Sequence, residues 1–217
     1  MGFSNFLSGA LDHGWAQLMH GFENGFFNAF FKYFSYLADK GILIFIVAFA
    51  LMLFKKTRYI GANMFVCVAV ALVMSFIAKE LIDRPRPFAD LTSDYYNWWV
   101  AAGKCSASNT GSFPSGHATV AFALAVSMIM TLDKRYGWTG ILFGLAIIVA
   151  RTYLMVHYLT DVLGGAAFGV IGAVIGFFIV KLIFGFMEKK KDKKFFNFCL
   201  EADLANLFRK KEDKTEE

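Results

Sequence analysis

Five apolar runs, at residues 42–54, 60–78, 118–132, 138–156 and 162–187, constrain this 217-residue chain more than anything else in it. A helix rises about 1.5 Å per residue, so about 20 residues cross a hydrocarbon layer of about 30 Å. The second, fourth and fifth runs reach that length alone. The first and third need the neighbouring polar turns, and residues 33–37 lengthen the first. Only helices satisfy their backbone groups across such a layer, because the strands of an open sheet would leave theirs unpaired. Composition agrees: the chain is 57% hydrophobic and 18% charged, where a soluble domain is usually about 45–50% apolar. Its 26 Phe exclude a solvated coil, and three Cys are too few for a disulfide framework. The expected fold is all-α, an integral membrane bundle of five transmembrane helices over residues 41–187. An N-terminal segment, 1–40, precedes it and a charged tail, 188–217, follows.

The basic residues predict an orientation. Lys55, Lys56 and Arg58 separate the first two runs, Lys134 and Arg135 the third and fourth, and Lys189 to Lys194 include five lysines after the fifth. Alternation puts all three groups on one side, which should be cytoplasmic, with the tail there too. The opposite side then carries the loop 88–113, the connection 151–161 and the N-terminus. No basic stretch precedes an apolar one at the N-terminus, which argues against a cleaved signal peptide. Phe26, Phe27, Phe30, Phe31, Phe34 and Leu37 recur at helical spacing opposite Asn28, Lys32 and Ser35. That is an interfacial amphipathic helix; its insertion as a sixth span is the rival reading. The tail holds nine basic and eight acidic residues, and reads as solvated, with a short amphipathic helix over 195–208 as the alternative.

Three polar clusters fall at the outer end: KELIDRPRP from Lys79, FPSGH ending at His117, and RTYLMVHYLTD from Arg151 to Asp161. Ionisable groups at membrane depth usually mark a pathway or a site. Lys79, Arg86 and Arg151 supply permanent positive charge suited to phosphate or carboxylate oxygens. Ser115, Gly116 and His117 stand at an expected helix start, where free N–H groups favour a phosphate. His157 and Asp161, four apart, share one face if helical. A carboxylate on one ring nitrogen of His157 leaves the other free to attack, and His117 remains as general acid. Taken singly, each residue has a plainer role. Lys79 or Arg86 can anchor a span end, Arg151 can pair structurally, a His can brace two helices, and Asp161 can cap the last span. Two His and a carboxylate can also bind zinc, although three nearby cations repel a metal.

Together the three clusters resemble the signature motifs of the type 2 phosphatidic acid phosphatase family. These are a Lys separated by six residues from Arg-Pro, the tetrapeptide Pro-Ser-Gly-His, and Ser-Arg with His six and Asp ten residues after the Arg. Every polar position matches between Lys79 and Asp161, except that Ala150 stands where the family usually has Ser. The resemblance implies a phosphatase working without metal or other cofactor, through a phosphohistidine. His157 would be the nucleophile, Asp161 its orienting carboxylate and His117 the acid. Lys79, Arg86, Ser115, Gly116 and Arg151 would hold the phosphate. Arg84 has no role in the motifs, so Asp83 or a lipid head group is its expected partner.

The expected substrate is therefore a lipid phosphate or diphosphate presented by the bilayer, and nothing points to nucleic acid. Undecaprenyl diphosphate is slightly favoured over phosphatidylglycerophosphate, phosphatidate and lipid A. A transporter, scramblase or silent binding subunit is the alternative, though binding alone needs no poised His157. The loop 88–113, with Tyr95, Tyr96, Trp98 and Trp99, either shapes the entrance or forms an aromatic belt. Cys105 is expected to be reachable from outside, with burial under the loop as the alternative.

Overall fold

A computed structural model describes residues 9–105 and 111–206. It is helical throughout, with no strand among the described residues. The helices are α1 (Ala10–Gly21), α2 (Gly25–Ser35), α3 (Ile42–Met52), α4 (Arg58–Ile82), α5 (Asp94–Ala101), α6 (Gly116–Thr131), α7 (Lys134–Tyr153), α8 (Leu159–Lys189) and α9 (Lys194–Glu201). Single 3-10 turns lie at Tyr36–Gly41 and Pro87–Ala89.

Three segments are long and apolar enough to cross a membrane: Gly25–Met52, Arg58–Ala89 and Leu159–Lys189, with Gly116–Thr131 as a shorter apolar helix. The first run thus gains its length from the Phe-rich stretch before it. α2 and α3 form one segment broken at Asp39 and Lys40, where the backbone leaves helical geometry. Most of the fourth run lies in a 20-residue helix that starts at Lys134 and stops at Tyr153, long enough to cross by length.

α6 sits at the centre, packed on α4, α7 and α8, while α3 packs on α4. Small side chains make this closeness possible. Ala71, Ala121, Ala123 and Ala173 are fully buried in the core with Val68, Val120 and Ile147. A Cβ on Gly172 of α8 would lie 2.4 Å from the Ala71 Cα on α4, and one on Gly165 would lie 2.4 Å from the Ser115 carbonyl oxygen. Without an extra hydrophobic drive between helices in lipid, such close packing is what holds spans together. Large apolar residues such as Phe76, Leu142 and Leu182 point outward, as a lipid-facing surface requires.

This packing places the ends of four helices side by side: the C-termini of α4 and α7 and the N-termini of α6 and α8. The basic segments around Arg58, Lys134 and Lys189 begin or end the same helices at the opposite end. The tail does not simply trail into solvent. Residues 194–201 are helical, Arg58 donates to the carbonyls of Leu200 and Ala202, and Lys55 and Lys191 both pair with Glu201. Of the alternative helix over 195–208, residues 207 and 208 lie outside the described residues.

Candidate active site

α4 ends where Asp83 adopts a left-handed backbone conformation, and the prolines at 85 and 87 prevent the helix from resuming. The chain that follows is extended, and it turns Arg84 and Arg86 inward. Arg86 donates to the Val156 carbonyl at 2.9 Å and lies 3.4 Å from His157 Nε2. Lys79, one turn before the helix end, donates to the Gly111 carbonyl at 2.7 Å.

α6 begins at Gly116 with Ser115 as its N-cap residue. Expectation and structure agree here, and the helix start faces the site. Ser115 N–H donates to the Asp161 carbonyl at 3.0 Å, which clasps α6 to α8. The buried Ser115 Oγ has no hydrogen-bond partner among the described residues. His117, one residue into α6, has its Nε2 3.7 Å from Asp39 Oδ1 at the break between α2 and α3.

His157 is not on a helix. Met155 takes a left-handed conformation, the chain turns after α7, and α8 starts only at Leu159. The four-residue spacing to Asp161 therefore works through a turn rather than a helix face. His157 Nδ1 lies 3.5 Å from Asp161 Oδ2, an ion-pair distance and not a fully formed hydrogen bond. Asp161 caps the start of α8 from inside the helix, not from the N-cap position, which is Tyr158. It is the third residue in, and its Oδ2 accepts from the Tyr158 N–H at 2.9 Å. With Nδ1 turned to Asp161, Nε2 faces the cavity. Burial, then Arg86, Arg151 and Lys79, hold the His157 pKa well below its ordinary value, so the ring is neutral near pH 7.

These groups line one cavity of about 540 Å³, walled by Lys79, Arg86, Arg151, Gly116, His117 and His157. Arg151 Nε has no hydrogen-bond partner among the described residues. Lys32, Tyr36, Asp39 and Lys40 form the rim, so the N-terminal segment contributes to the site, which its sequence did not reveal. Every expected site residue except Ser115 and Asp161 lines the cavity, and those two stand directly behind it. Among the described residues, no cluster of three His, Cys, Asp or Glu is placed to hold a metal. Cys105 is buried and lines the cavity wall, which is the alternative of burial and not open exposure.

Arg84 overturns its expectation most clearly. Asp83 is exposed, while Arg84 is 1% exposed and bonded to two carboxylates. Nη1 reaches Asp161 Oδ1 at 2.6 Å and Nη2 reaches Asp12 Oδ2 at 2.9 Å. Thr160 Oγ1 bridges the same groups, accepting from Arg84 Nη1 and donating to Asp12 Oδ2, both at 2.8 Å. The guanidinium also lies 3.9 Å over the Tyr158 ring, a favourable seat for a cation. The loop after α4 shields this side: Tyr95 packs edge-on against Tyr158, and Trp98 stacks near His13 and His20 of α1. Only the proximity of Arg84 to the first motif hinted at a role, and nothing in the sequence marked Asp12.

Comparison with known proteins places this geometry. The family model described as PAP2 superfamily matches residues 60–192. An undecaprenyl-diphosphatase of Sulfolobus acidocaldarius is 29% identical over 61% of the chain and 59% of its own length. Phosphatidylglycerophosphatase B of Bacillus subtilis is 31% identical over 69% and 68%, respectively. The chain thus spans little more than half to two thirds of these relatives. The crystal structure of Aquifex aeolicus LpxE superposes with a TM-score of 0.67 at 24% identity, covering 81% of this chain and 98% of that one. A transmembrane PAP2-type phosphatidylglycerolphosphate phosphatase from Bacillus subtilis gives 0.61 at 23% identity. The likeness to both structures is one of fold.

Proposed function

This membrane chain belongs to the PAP2 superfamily, and from that premise we propose that it hydrolyses a lipid phosphate or diphosphate through a phosphohistidine. One observation carries the reading: a neutral His157 Nε2 opens into a cavity walled by Lys79, Arg86 and Arg151, with His117 in the same wall. In the first step Nε2 forms a bond to phosphorus and the bond to the lipid oxygen breaks. The proton from His117 goes to that oxygen. Water then attacks the phosphohistidine, His117 takes its proton, inorganic phosphate leaves and His157 is restored. The three cations and the start of α6 carry the charge that spreads over the equatorial oxygens. The cationic lining favours a mechanism independent of metal, since it serves the phosphate directly.

The substrate is inferred more finely from the rim. Lys32 and Lys40 add to Lys79, Arg86 and Arg151, so five cations face one carboxylate, Asp39. A diphosphate uses that surplus better than a phosphomonoester does, which favours undecaprenyl diphosphate over phosphatidylglycerophosphate, phosphatidate and lipid A. The basic segments at the far end support a site on the outer face of a cell membrane, with the tail in the cytoplasm.

The test is phosphate release by purified protein in detergent from a panel of lipid phosphates and diphosphates, with chelator present. Release together with an acid-labile, base-stable phosphoprotein is expected. Complete loss of release on chelation overturns the metal-independent mechanism.

A further inference from the structure

We propose that Asp12, on a helix outside the region matched to the family, is a positioning residue for the nucleophile, acting through Arg84 and Asp161. The proposal rests on the phosphatase reading, since it assigns a role in the chemistry of His157. Its basis is the buried chain of three charges. Asp12 and Arg84 are each 1% exposed, and Asp161 is fully buried. Burying such charges is costly unless each is paired and its remaining polar atoms are satisfied. Here they are: Thr160 gives its N–H to Asp12 Oδ1 at 2.9 Å and its hydroxyl to Oδ2. α1 itself is pinned where Trp15 Nε1 donates to Thr152 Oγ1 at 2.9 Å.

The arrangement does two things for His157. Arg84 holds Asp161 Oδ1, so Oδ2 stays turned to the Tyr158 N–H and to His157 Nδ1. Charge is the second effect. When Nε2 bonds to phosphorus, Nδ1 keeps its proton and the ring becomes positive. Arg84 alone would cancel Asp161. With Asp12 the chain carries one net negative charge, which stabilises the cationic ring. Lys79 and Arg86 on the α4 side and Arg151 on α7 also face the ring and oppose its positive charge, while His117 on α6 faces it too. The net negative chain is what offsets them.

The experiment compares acid limbs of the kcat/KM profile in variants that stay monodisperse in detergent. Asp12→Asn makes the chain neutral. It should lower kcat about tenfold, which corresponds to one pKa unit, leave KM nearly unchanged and move the acid limb down. Arg84→Met leaves two carboxylates and should move the limb up. The double variant restores one net negative charge and should return the limb to its native place while kcat stays low. Shifts of roughly half a unit or more are expected. A merely structural role scales the profile without moving it, so a lowered kcat with an unmoved limb, or an unchanged kcat in folded Asp12→Asn, overturns the proposal. If Asp12→Asn does not stay folded, the order of Arg84→Met above the double variant decides. The same titration is read without turnover from acylation of His157 by diethyl pyrocarbonate, taken as the difference from a His157→Gln protein. If the unaltered protein releases no phosphate, the phosphatase reading falls. The acylation profile then still decides the charge chain, and absence of the ordered shifts overturns it.

Discussion

The two ends of this bundle are both rich in cations and treat them in opposite ways. At the far end, Lys55 and Lys191 are half exposed and share Glu201, and Arg58 donates to the carbonyls of Leu200 and Ala202. At the cavity end, Lys79, Arg86 and Arg151 face one another across about 540 Å³, and Asp39 is the only carboxylate in the lining among the described residues. Exposed ion pairs are screened and contribute little. Buried cations in mutual repulsion are costly, and persist where a ligand or a mechanism needs them. The same residue types therefore fasten the tail at one end and, under the proposed function, serve an anion at the other.

The sharpest way to break the comparison is to remove the group that the cavity cations surround. His157→Ala should lower phosphate release by a factor on the order of 10⁴ or more, while binding of the lipid phosphate, measured separately, persists. A variant with normal kcat would show that the nucleophile lies elsewhere. The intact ring also fixes a pH dependence. Burial and three cations depress its pKa, so the neutral, attacking form persists below the ordinary value of about 6.5. The rate should stay level from pH 7 through that value and fall only further into acid. Stability behaves in the same sense. Below about pH 6.5 the unfolded chain takes up a proton that the folded His157 refuses, so stability is lost as pH falls toward the depressed value.

Arg151→Leu comes next. Its Nε is buried and without a hydrogen-bond partner among the described residues, and the proposed function gives it a phosphate oxygen. The variant should lose roughly 10²- to 10³-fold in kcat/KM, as expected for a transition-state donor. If the loss is confined to expression and Tm, the residue is structural and the contrast between the ends weakens.

How much of this was legible beforehand follows from where each residue sits in the chain. Lys79 and His117 flank long apolar runs and Arg151 lies in the last part of one, so counting spans already carried them to one end. The geometry of His157 was hidden, because it depends on Met155 adopting a left-handed backbone that its residue type rarely takes. Arg84 and Asp12 are 72 positions apart, and their pairing depends on how a short N-terminal helix docks, which no local pattern encodes. The docked tail was missed for the same reason: Lys55 and Glu201 are 146 positions apart. Local chemistry was readable, whereas long-range choice of partner was not.

Gly165→Ala tests whether the cavity needs its tight frame. The new Cβ would meet the Ser115 carbonyl oxygen at 2.4 Å, so α6 and α8 must separate where Ser115 N–H meets the Asp161 carbonyl. Overpacking of this kind typically costs about 1–3 kcal/mol. A fall in thermal stability, with kcat reduced about tenfold by the displaced Asp161, is the expected outcome. Unchanged activity in a destabilised variant would show that the clasp supports the fold without tuning the site.

The smallest effect should come from the far end, and that smallness is what the comparison requires. Glu201 is partly exposed, and hydrogen bonds from Lys191 and Lys55 lower its pKa to about 2. A depressed carboxylate contributes wherever pH exceeds its unfolded value, and that contribution vanishes only as pH falls through about 2. Across the physiological range the pair is thus fully formed, yet water and salt screen it. Glu201→Ala should leave kcat/KM within about twofold of the unaltered protein. Its visible consequence should be local: release of α9 from Arg58 and Lys55, read as faster proteolysis after Met187. If instead the variant loses activity comparable to Arg151→Leu, the far end is coupled to the cavity through α4 or α8. The cations there would then do more than fasten the chain.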